Sequence, residues 1–377
     1  MHQNYIRGFD GLRAIAVIWV IFGHVFSNLN WPATQSYQKA LMLVTNISWT
    51  GVQLFFVLSG FLITGILLKS KGSENQLRNF YIRRSLRIFP IYFLLLLVLF
   101  IIVPLLFSVP QWLEGPSGTQ LWYWTYMQNW VRPFSDTNGF GHLWSLAIEE
   151  QYYLIWPLLV LRFNPKRLIS ICIFMVLSAP IFRWVLVDFF PQQWGGQAVG
   201  ERAAYAFTFA RWDAIALGSL LALLKFDSNL FNWLSKYCKF GVMGLGLIIL
   251  SQIVIFHNFA QIGSGFALLN QTTVAVFFFF VVLFVQRKES NIVVSLLEWK
   301  PVKSMGKYSY AMYLIHLPIL KVLLEHYQLD FENLQAHEVT LSKLLYFVVV
   351  IVTTYIVSML SWKFFEYPIL KYKKRFS

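Results

Sequence analysis

Long apolar runs recur along the whole chain of 377 residues, and they constrain its fold more than any other feature. Each run has about 16 to 22 residues, close to the roughly 20 that an α-helix needs to cross a bilayer core. Only 13% of the residues are charged, whereas soluble domains carry about 25%. Transmembrane β-strands alternate between apolar and polar residues, so continuous runs exclude a β-barrel. The sequence therefore predicts an all-α, polytopic transmembrane helical bundle.

About ten runs are long enough to be membrane spans. They lie at about 12–29, 46–68, 88–107, 143–161, 168–187, 206–224, 240–257, 264–285, 308–324 and 343–363. Lys and Arg collect in cytoplasmic loops and so indicate the orientation. With the N-terminus inside, 24 of the 31 Lys and Arg residues fall on the inner side and the other seven on the outer side or in outer helix halves. We expect both termini in the cytoplasm and a multi-pass protein of the cell inner (plasma) membrane.

Charge and cysteine content exclude other classes. The formal net charge of +14 follows from this topology and does not indicate a nucleic-acid partner. The two cysteines, Cys172 and Cys238, predict no disulfide framework. Because no segment outside the spans exceeds about 35 residues, we expect 1–377 to form one membrane domain without an appended soluble domain. The outer connection 108–141 is rich in Trp and Tyr, and is either an interfacial aromatic belt or a surface for stacking sugars.

The first span carries Arg13 and His24, eleven residues apart. Eleven residues bring an α-helix to within about 20° of its starting direction and roughly 16 Å along its axis, so both side chains share one face. Ionisable groups in a bilayer are costly and usually face a cavity or a partner. His24 is either a general base or nucleophile, or a hydrogen-bonded core histidine. Arg13 could bind an anion, stabilise an oxyanion, pair with Asp10, or snorkel to the inner surface.

A second polar pattern opens the fourth span, where His142 and Glu149 are seven residues apart and so share a helical face. A carboxylate inside an apolar run is costly unless it is paired or protonated. We favour Glu149 over Glu150, because Glu149 aligns with His142, and expect it to orient a catalytic histidine or to accept a hydroxyl proton. The alternative is a structural ion pair with an arginine. A metal site from His24, His142 and Glu149 is geometrically possible, but we expect no metal.

Two further patterns contain candidate residues. Arg83, Arg84 and Arg87 precede the third span on its predicted inner side, and Arg84 and Arg87 share a helical face. They form either an anchor for anionic lipid or a clamp for a phosphorylated cytosolic donor. In the ninth span His316 lies two residues before Pro318, which disturbs a helix. This makes His316 a second catalytic candidate.

Six motifs, taken in order, resemble those of acyltransferase family 3, a family of integral membrane O-acyltransferases that includes bacterial polysaccharide O-acetylases. Each motif alone is weak, but together they run from Phe9 to about Pro368. They are DGLR at 10–13 with ten residues before His24, FFVLSGFLI at 55–63, RSLR at 84–87, HLWSL at 142–146 followed by Glu149, YSY at 308–310 leading to HLP at 316–318, and FEYP at 365–368.

The resemblance implies ten core spans and the transfer of an acyl group, usually acetyl from acetyl-CoA, to a hydroxyl. It implies that Arg13 and His24 form the catalytic motif and that Glu149 is important. It places Arg84 and Arg87 on the side of the donor, and we add their neighbour Arg83. The residues that we expect to bind the substrate are His142, Ser145, Asp10 and His316.

The expected reaction joins a cytosolic acyl-CoA to a cell-surface or exported glycan or glycolipid, such as O-antigen. In this hypothesis His24, oriented by Glu149, activates the sugar hydroxyl or attacks the thioester to give an acyl-imidazole. Some family members carry an esterase-like domain after the spans; we expect none here, and this expectation favours direct transfer to the acceptor. The alternative function is a polysaccharide or lipid transporter or flippase without chemistry, which also needs many spans and a polar midplane. No inverted repeat is evident in support of transport.

Overall fold

The computed structural model of the chain describes residues 5–28, 35–110, 112–113, 118–135, 140–189, 195–225, 228–256, 265–287, 292–326 and 336–372. These residues contain no strand and twelve helices of ten residues or more. The helices are α1 (Phe9–Asn28), α2 (Ser36–Asn46), α3 (Thr50–Lys69), α4 (Gln76–Leu97), α5 (Trp144–Arg162), α6 (Pro165–Trp184), α7 (Gln197–Ala206), α8 (Thr208–Leu224), α9 (Ser228–Phe256), α10 (Asn270–Val285), α11 (Lys300–His326) and α12 (Ala336–Ser361).

Shorter helical segments connect or extend these elements. They are the helical turns Val103–Leu106, Gln120–Trp124, Gln128–Val131, Ile292–Leu297 and Tyr367–Leu370, the 3-10 turns Arg132–Phe134, Gly141–Leu143 and Gly265–Leu269, and the π-helical segments Val98–Ile102, Val185–Phe189 and Trp362–Glu366.

Eight stretches of the described chain are long and apolar enough to cross a membrane. The helical membrane bundle predicted from the sequence is therefore confirmed. Predicted spans 143–161 and 308–324 correspond to α5 and α11, which have 19 and 27 residues but do not belong to the eight. The number of ten spans and the cytoplasmic termini stay predictions. The eight stretches are Phe9–Asn28, Ser36–Lys69, Gln76–Leu106, Pro165–Phe189, Gln197–Leu224, Asn229–Ile255, Ala267–Val285 and His337–Leu370.

The first helix, α1, lies at the centre of the bundle. It packs against α3 and α11, and α3 in turn packs against α8, which also contacts α6. Burial differs between inner and outer helices. Of the apolar part of α1, 61% is buried within the protein, whereas only 6% is buried for the stretch Asn229–Ile255 in α9. The apolar residues of α9 therefore face outward, as expected of a helix whose surroundings are lipid.

Two glycines set the close crossing of α3 and α8. A Cβ atom at Gly60 would overlap the backbone carbonyl of Ile215, and one at Gly218 would overlap the carbonyl oxygen of Val57. Because helices in a membrane associate mainly by van der Waals packing, such small residues allow the backbones to meet. Gly60 and Gly218 therefore bring α3 and α8 into direct backbone contact.

Replacing Gly60 with Ala should destabilise the protein, because the added methyl group can be accommodated only if α3 and α8 separate. We expect a loss of about 1–3 kcal/mol, typical of overpacking. Gly65→Ala is the matched control in the same helix, since a Cβ there meets no atom within 4 Å and Ala favours a helix over Gly by up to about 1 kcal/mol. Thermal unfolding in detergent measures both. Equal melting temperatures for the two variants would contradict this account of the crossing.

A buried ion pair stabilises the contact of α6, α8 and α10. Arg183 and Asp213 are both fully buried, with Nη1 and Oδ2 3.1 Å apart. Arg183 also donates from Nε to the carbonyl of Leu268 (2.9 Å) and from Nη1 to that of Ala210 (2.6 Å), while Thr272 donates to Asp213 (2.6 Å). The attraction within a buried pair offsets the desolvation of its two charges only when further hydrogen bonds satisfy the remaining donors and acceptors, as they do here.

The chain before α1 is held by Glu298, between α11 and the preceding short helix. Glu298 accepts hydrogen bonds from the Tyr5 hydroxyl (2.6 Å), the Gly8 amide (2.6 Å) and Lys303 Nζ (3.1 Å). Burial by itself raises the pKa of the Glu298 carboxyl, but these three donors outweigh it and lower the pKa below its ordinary value. The ionised carboxylate thus fixes the chain where it enters α1.

The aromatic connection 108–141 is described in part, without residue 111 and residues 114–117 and 136–139. Its described rings pack against α4: Tyr126 stacks on Tyr92 with centroids 4.2 Å apart, and Trp124 stacks on Phe93 at 5.9 Å. The Tyr92 hydroxyl donates to the carbonyl of Tyr123 at 2.8 Å. Much of the aromatic character of this connection therefore serves to fold it onto the bundle.

Candidate active site

Polar side chains gather in two groups along α1. The histidine cluster consists of His24, His142 and His316, and lies beside the C-terminal half of α1. The arginine cluster consists of Arg13, Arg84 and Arg87, together with Glu149, and lies near the N-terminal half. Arg13 and His24 belong to one straight helical segment, so the two clusters are separated by roughly 16 Å along the helix axis.

A direct hydrogen bond joins two members of the histidine cluster. His24 Nδ1 and His316 Nε2 are 2.7 Å apart, and the two rings stack with centroids 5.0 Å apart. The His142 ring lies edge-on to His316 at 5.0 Å and to His24 at 6.4 Å. Residues from α1, α11 and the 3-10 turn Gly141–Leu143 thus meet at one point, although His24 and His316 are 292 residues apart in the chain.

Pro318 explains how α11 holds His142. Proline has no amide hydrogen, so in a helix it leaves the carbonyl four residues earlier without its usual partner. That carbonyl belongs to Leu314, and it accepts a hydrogen bond from His142 Nε2 at 3.1 Å. The backbone carbonyl that Pro318 leaves free therefore holds the imidazole of His142 in place.

The backbone also determines which ring nitrogens carry protons. A carbonyl oxygen only accepts, so His316 Nδ1 must be the donor in its 2.8 Å hydrogen bond to the carbonyl of Tyr313. In the neutral ring, His316 Nε2 then has a free lone pair and accepts from His24 Nδ1. This assignment, made from the hydrogen-bond network, leaves the lone pair of His24 on Nε2.

That nitrogen is placed to react. His24 Nε2 has no hydrogen-bond partner among the described residues. His24 lines a cavity of about 240 Å³, whose walls include His142, Trp144, Tyr205 and Tyr313. A neutral imidazole with one nitrogen held and the other bare is the arrangement of a general base or a nucleophile.

The cavity also offers hydroxyl and amide groups. Ser27, Thr45, Asn46 and Ser48 are among the residues that line the cavity, from α1, α2 and the turn that follows α2. Such groups can exchange hydrogen bonds with a polyhydroxylated ligand. The cavity is therefore suited in polarity to a sugar.

Ser145, which the sequence predicts to bind substrate, supports the turn that carries His142 in this structure. Its hydroxyl is buried and lies 2.6 Å from the Tyr313 hydroxyl, which donates to the carbonyl of His142 at 2.9 Å. Ser145 and Tyr313 thus fix the turn that carries His142. Sequence reasoning assigned no role to Tyr313; its position three residues before His316 on α11 is the signal that was available.

The arginine cluster combines three cations from two helices. Arg13 lies 3.6 Å from Asp10 in an ion pair, which is one of the alternatives that the sequence leaves open for Arg13. Arg84 stands over the Tyr153 ring at 5.2 Å, and Arg13, Arg84 and Arg87 lie within electrostatic range of one another. Arg87 is exposed. Cations so close together favour a ligand that carries several negative charges.

Glu149 belongs to the arginine cluster and not to the histidine cluster. It accepts a short hydrogen bond from Ser59 and lies within electrostatic range of Arg84 and Arg13. The prediction that Glu149 orients His24 is therefore wrong in this structure, since the partner of His24 is His316. The reason is distance along the chain: seven helical residues rise about 10 Å, so His142 and Glu149 can share a face without sharing a partner.

Other predicted residues are placed as follows. Arg83 is partly buried, with no hydrogen-bond acceptor for Nε in the part of the chain described. Ser59 of α3 is the donor to Glu149. No group of three His, Cys, Asp or Glu side chains in the described ranges has the geometry of a metal site.

The fold and the two clusters define a helical membrane protein with a histidine cluster beside a cavity and a polycationic site. Its family follows from comparison: the family model described as an acyltransferase domain, acyltransferase family 3, matches residues 6–363. The chain belongs to this family, which confirms the resemblance drawn from the six motifs and the enzyme class, an acyltransferase. It is therefore a multi-pass membrane protein.

Curated relatives match along 98% of this chain. The peptidoglycan O-acetyltransferase OatA of Listeria monocytogenes is 28% identical over 385 residues, and YrhL of Bacillus subtilis is 30% identical over 390. The O-acetyltransferase OatA of Staphylococcus aureus is 26% identical over 389 residues. The chain spans 56%, 55% and 58% of the length of these relatives, respectively. No solved structure matches it at a significant level.

Proposed function

We propose that this protein transfers an acetyl group from acetyl-CoA to a hydroxyl of a cell-surface or exported glycan. The observation that carries the proposal is the chain of hydrogen bonds from the Tyr313 carbonyl through His316 to His24, which leaves a bare Nε2 beside a polar cavity. In our proposal this nitrogen accepts the proton of the acceptor hydroxyl while the hydroxyl oxygen attacks the thioester carbonyl. The C–S bond then breaks, and His24 returns the proton to the departing thiolate.

A second route begins at the same atom. His24 Nε2 attacks the thioester carbonyl, the C–S bond breaks, and the departing thiolate takes up the proton that His24 Nδ1 gives up. The resulting acetyl-imidazole passes its acetyl group to the acceptor hydroxyl, whose proton returns to the imidazole. The routes differ in whether the acetyl group is attached to the protein when no acceptor is present. Mass spectrometry of protein quenched after mixing with acetyl-CoA alone distinguishes them.

The arginine cluster is our proposed donor site. Coenzyme A carries several phosphates, and Arg13, Arg84 and Arg87 supply cations near one another, with Arg87 exposed. The positive-inside pattern of Lys and Arg supports a cytosolic entrance on that side. We propose that the donor binds there and extends along α1, so that its thioester comes to His24.

The acceptor is proposed from the relatives. The names of all three contain O-acetyltransferase, and those from Listeria monocytogenes and Bacillus subtilis also contain peptidoglycan. These names favour peptidoglycan over the O-antigen given as an example in the sequence analysis. The sugar hydroxyl would enter past Ser27, Thr45 and Ser48.

Reconstitution tests the proposed function. Proteoliposomes that contain the full chain receive acetyl-CoA labelled in the acetyl group and soluble peptidoglycan glycan fragments, and label in the glycan is counted. We expect label with the wild-type protein. Failure to label any hydroxyl acceptor, with well-folded protein and intact donor, would overturn the proposal and return attention to a transporter.

Removing one cation tests the donor site. We expect Arg84→Gln to raise KM for acetyl-CoA by about tenfold, the effect of losing roughly 1.4 kcal/mol of phosphate binding. The matched control is Arg167→Gln on the surface of α6, which removes the same charge at an exposed position. Initial rates at varied acetyl-CoA measure both variants. An unchanged KM in Arg84→Gln would place the donor elsewhere.

A further inference from the structure

Two arginines approach one aromatic wall of the cavity. Tyr205 and Trp144 line the cavity beside His24. The guanidinium of Arg132 lies 4.5 Å from the centroid of the Tyr205 ring, and that of Arg211 lies 5.7 Å from the same ring and 4.9 Å from Trp144. Two positive charges thus share one ring at the site where the acceptor is proposed to bind.

Neither guanidinium is satisfied by the protein. Arg211 is fully buried, and Nε, Nη1 and Nη2 have no hydrogen-bond partner in the described part of the chain. Arg132 is partly buried, and its Nη1 is likewise buried without a partner. Arg183, also fully buried, shows the contrast: it donates to two carbonyls and to Asp213. Arg183 thus has acceptors for its guanidinium, whereas within the described ranges the three nitrogens of Arg211 and Nη1 of Arg132 have none.

The nearest acidic partner of Arg211 is already used. Asp213 accepts from Arg183 Nη1 (3.1 Å), the Thr272 hydroxyl (2.6 Å) and the Ala214 amide (2.9 Å). Cation–π contacts with Tyr205 and Trp144 compensate only part of the desolvation of an unpaired cation. An uncompensated positive charge beside a cavity is best explained by a ligand that brings the negative charge.

We propose that the acceptor carries an anionic group, a carboxylate or a phosphate, near the hydroxyl that is acetylated, and that Arg132 binds this group. Arg211, behind the Tyr205 and Trp144 rings, adds a second positive charge to the same wall. Arg132 suits this role because it is only partly buried and its planar fork can bind an oxyanion with two hydrogen bonds. The inference rests on the proposed function and names the class of acceptor.

Equilibrium binding tests this without acetyl transfer. The His24→Ala protein, in nanodiscs, is titrated with three probes: chitobiose, the same disaccharide bearing a carboxymethyl ether, and chitobiose 1-phosphate. We expect at least one charged probe to bind about tenfold more tightly than chitobiose, and the tighter of the two identifies the source of the charge. Adding Arg132→Gln should remove this preference, whereas Arg132→Lys should keep part of it, since it keeps the charge.

Two controls make the outcome decisive. Lys39→Gln removes an exposed charge from α2 and should leave the preference unchanged. Thermal unfolding shows whether Arg132→Gln is folded. Equal binding of the three probes, or an equal loss for all three in Arg132→Gln, would overturn the inference, as would no binding of either charged probe. Failure of the proposed function would be seen in a different experiment, because the wild-type protein would then transfer label to no acceptor.

Discussion

Replacing His24 with Ala will lower the rate of acetyl transfer by about 10²- to 10⁴-fold or more, the range that a positioned general base or acid supplies. The His24 imidazole lines the cavity and carries a nitrogen without a hydrogen-bond partner among the described residues, and an alanine methyl group can neither take a proton nor attack a thioester. The measurement is the initial rate of label transfer from acetyl-CoA to glycan in proteoliposomes.

The matched control for this substitution is His326→Ala. His326 is an exposed histidine at the end of α11, hydrogen-bonded to the carbonyl of Val322 at 3.1 Å. We expect near wild-type transfer from His326→Ala. His24→Ala should also bind acetyl-CoA with little change, because the donor is proposed to bind at the arginine cluster. Full activity in well-folded His24→Ala would remove His24 from the mechanism.

The second large effect is expected at His316, which does not face the acceptor in our proposal but fixes the tautomer of His24. His316→Ala removes the acceptor for the Nδ1 proton of His24, so the proton can move to Nε2 and the reactive lone pair is lost. We expect kcat to fall by about 10²-fold or more, with KM for acetyl-CoA little changed.

A conservative variant separates this positioning role from a merely structural one. In His316→Gln the amide oxygen can lie near the former Nε2 position and accept from His24 Nδ1. We therefore expect His316→Gln to recover a large part of the rate lost in His316→Ala, at similar thermal stability. If both variants lose the same activity, the hydrogen bond from His24 to His316 does not set the reactive tautomer.

A chain of two imidazoles ending at a backbone carbonyl has a physical advantage in this setting. A carboxylate beside His24 would add a negative charge to the protein interior, and that charge would need its own compensation. The Tyr313 carbonyl is a neutral dipole, and its hydrogen bond with His316 Nδ1 determines which ring nitrogens carry protons. The carboxylate that is present, Glu149, lies where the cations Arg13 and Arg84 can compensate it.

The relative positions of residues within one helix could be predicted from the sequence. The eleven-residue spacing of Arg13 and His24 and the three-residue spacing of Asp10 and Arg13 follow from helical geometry, and the structure keeps both within α1. The apolar runs predicted the membrane bundle, and six motifs predicted the family. These conclusions depend only on local periodicity and composition, which the chain carries without any tertiary contact.

Contacts between helices could not be derived in the same way. Glu149 was assigned to His24 because of a shared face with His142, but helix α5 places it against Ser59 of α3. Periodicity gives the direction of a side chain around one axis; it does not give the depth or angle at which a second helix crosses. The crossing of α3 and α8 depends on Gly60 and Gly218, and that of α1 with α11 brings His24 to His316.

The sequence by itself thus determined that the protein is a helical membrane protein of an acyltransferase family, and which ionisable residues its interior must accommodate. Only the tertiary structure decided how these residues are paired: His24 with His316, His142 with the carbonyl that Pro318 leaves free, and Arg211 with the aromatic rings of Trp144 and Tyr205. The physical reason is that burial makes each polar group need a partner, while the identity of that partner depends on where helices distant in the chain come into contact.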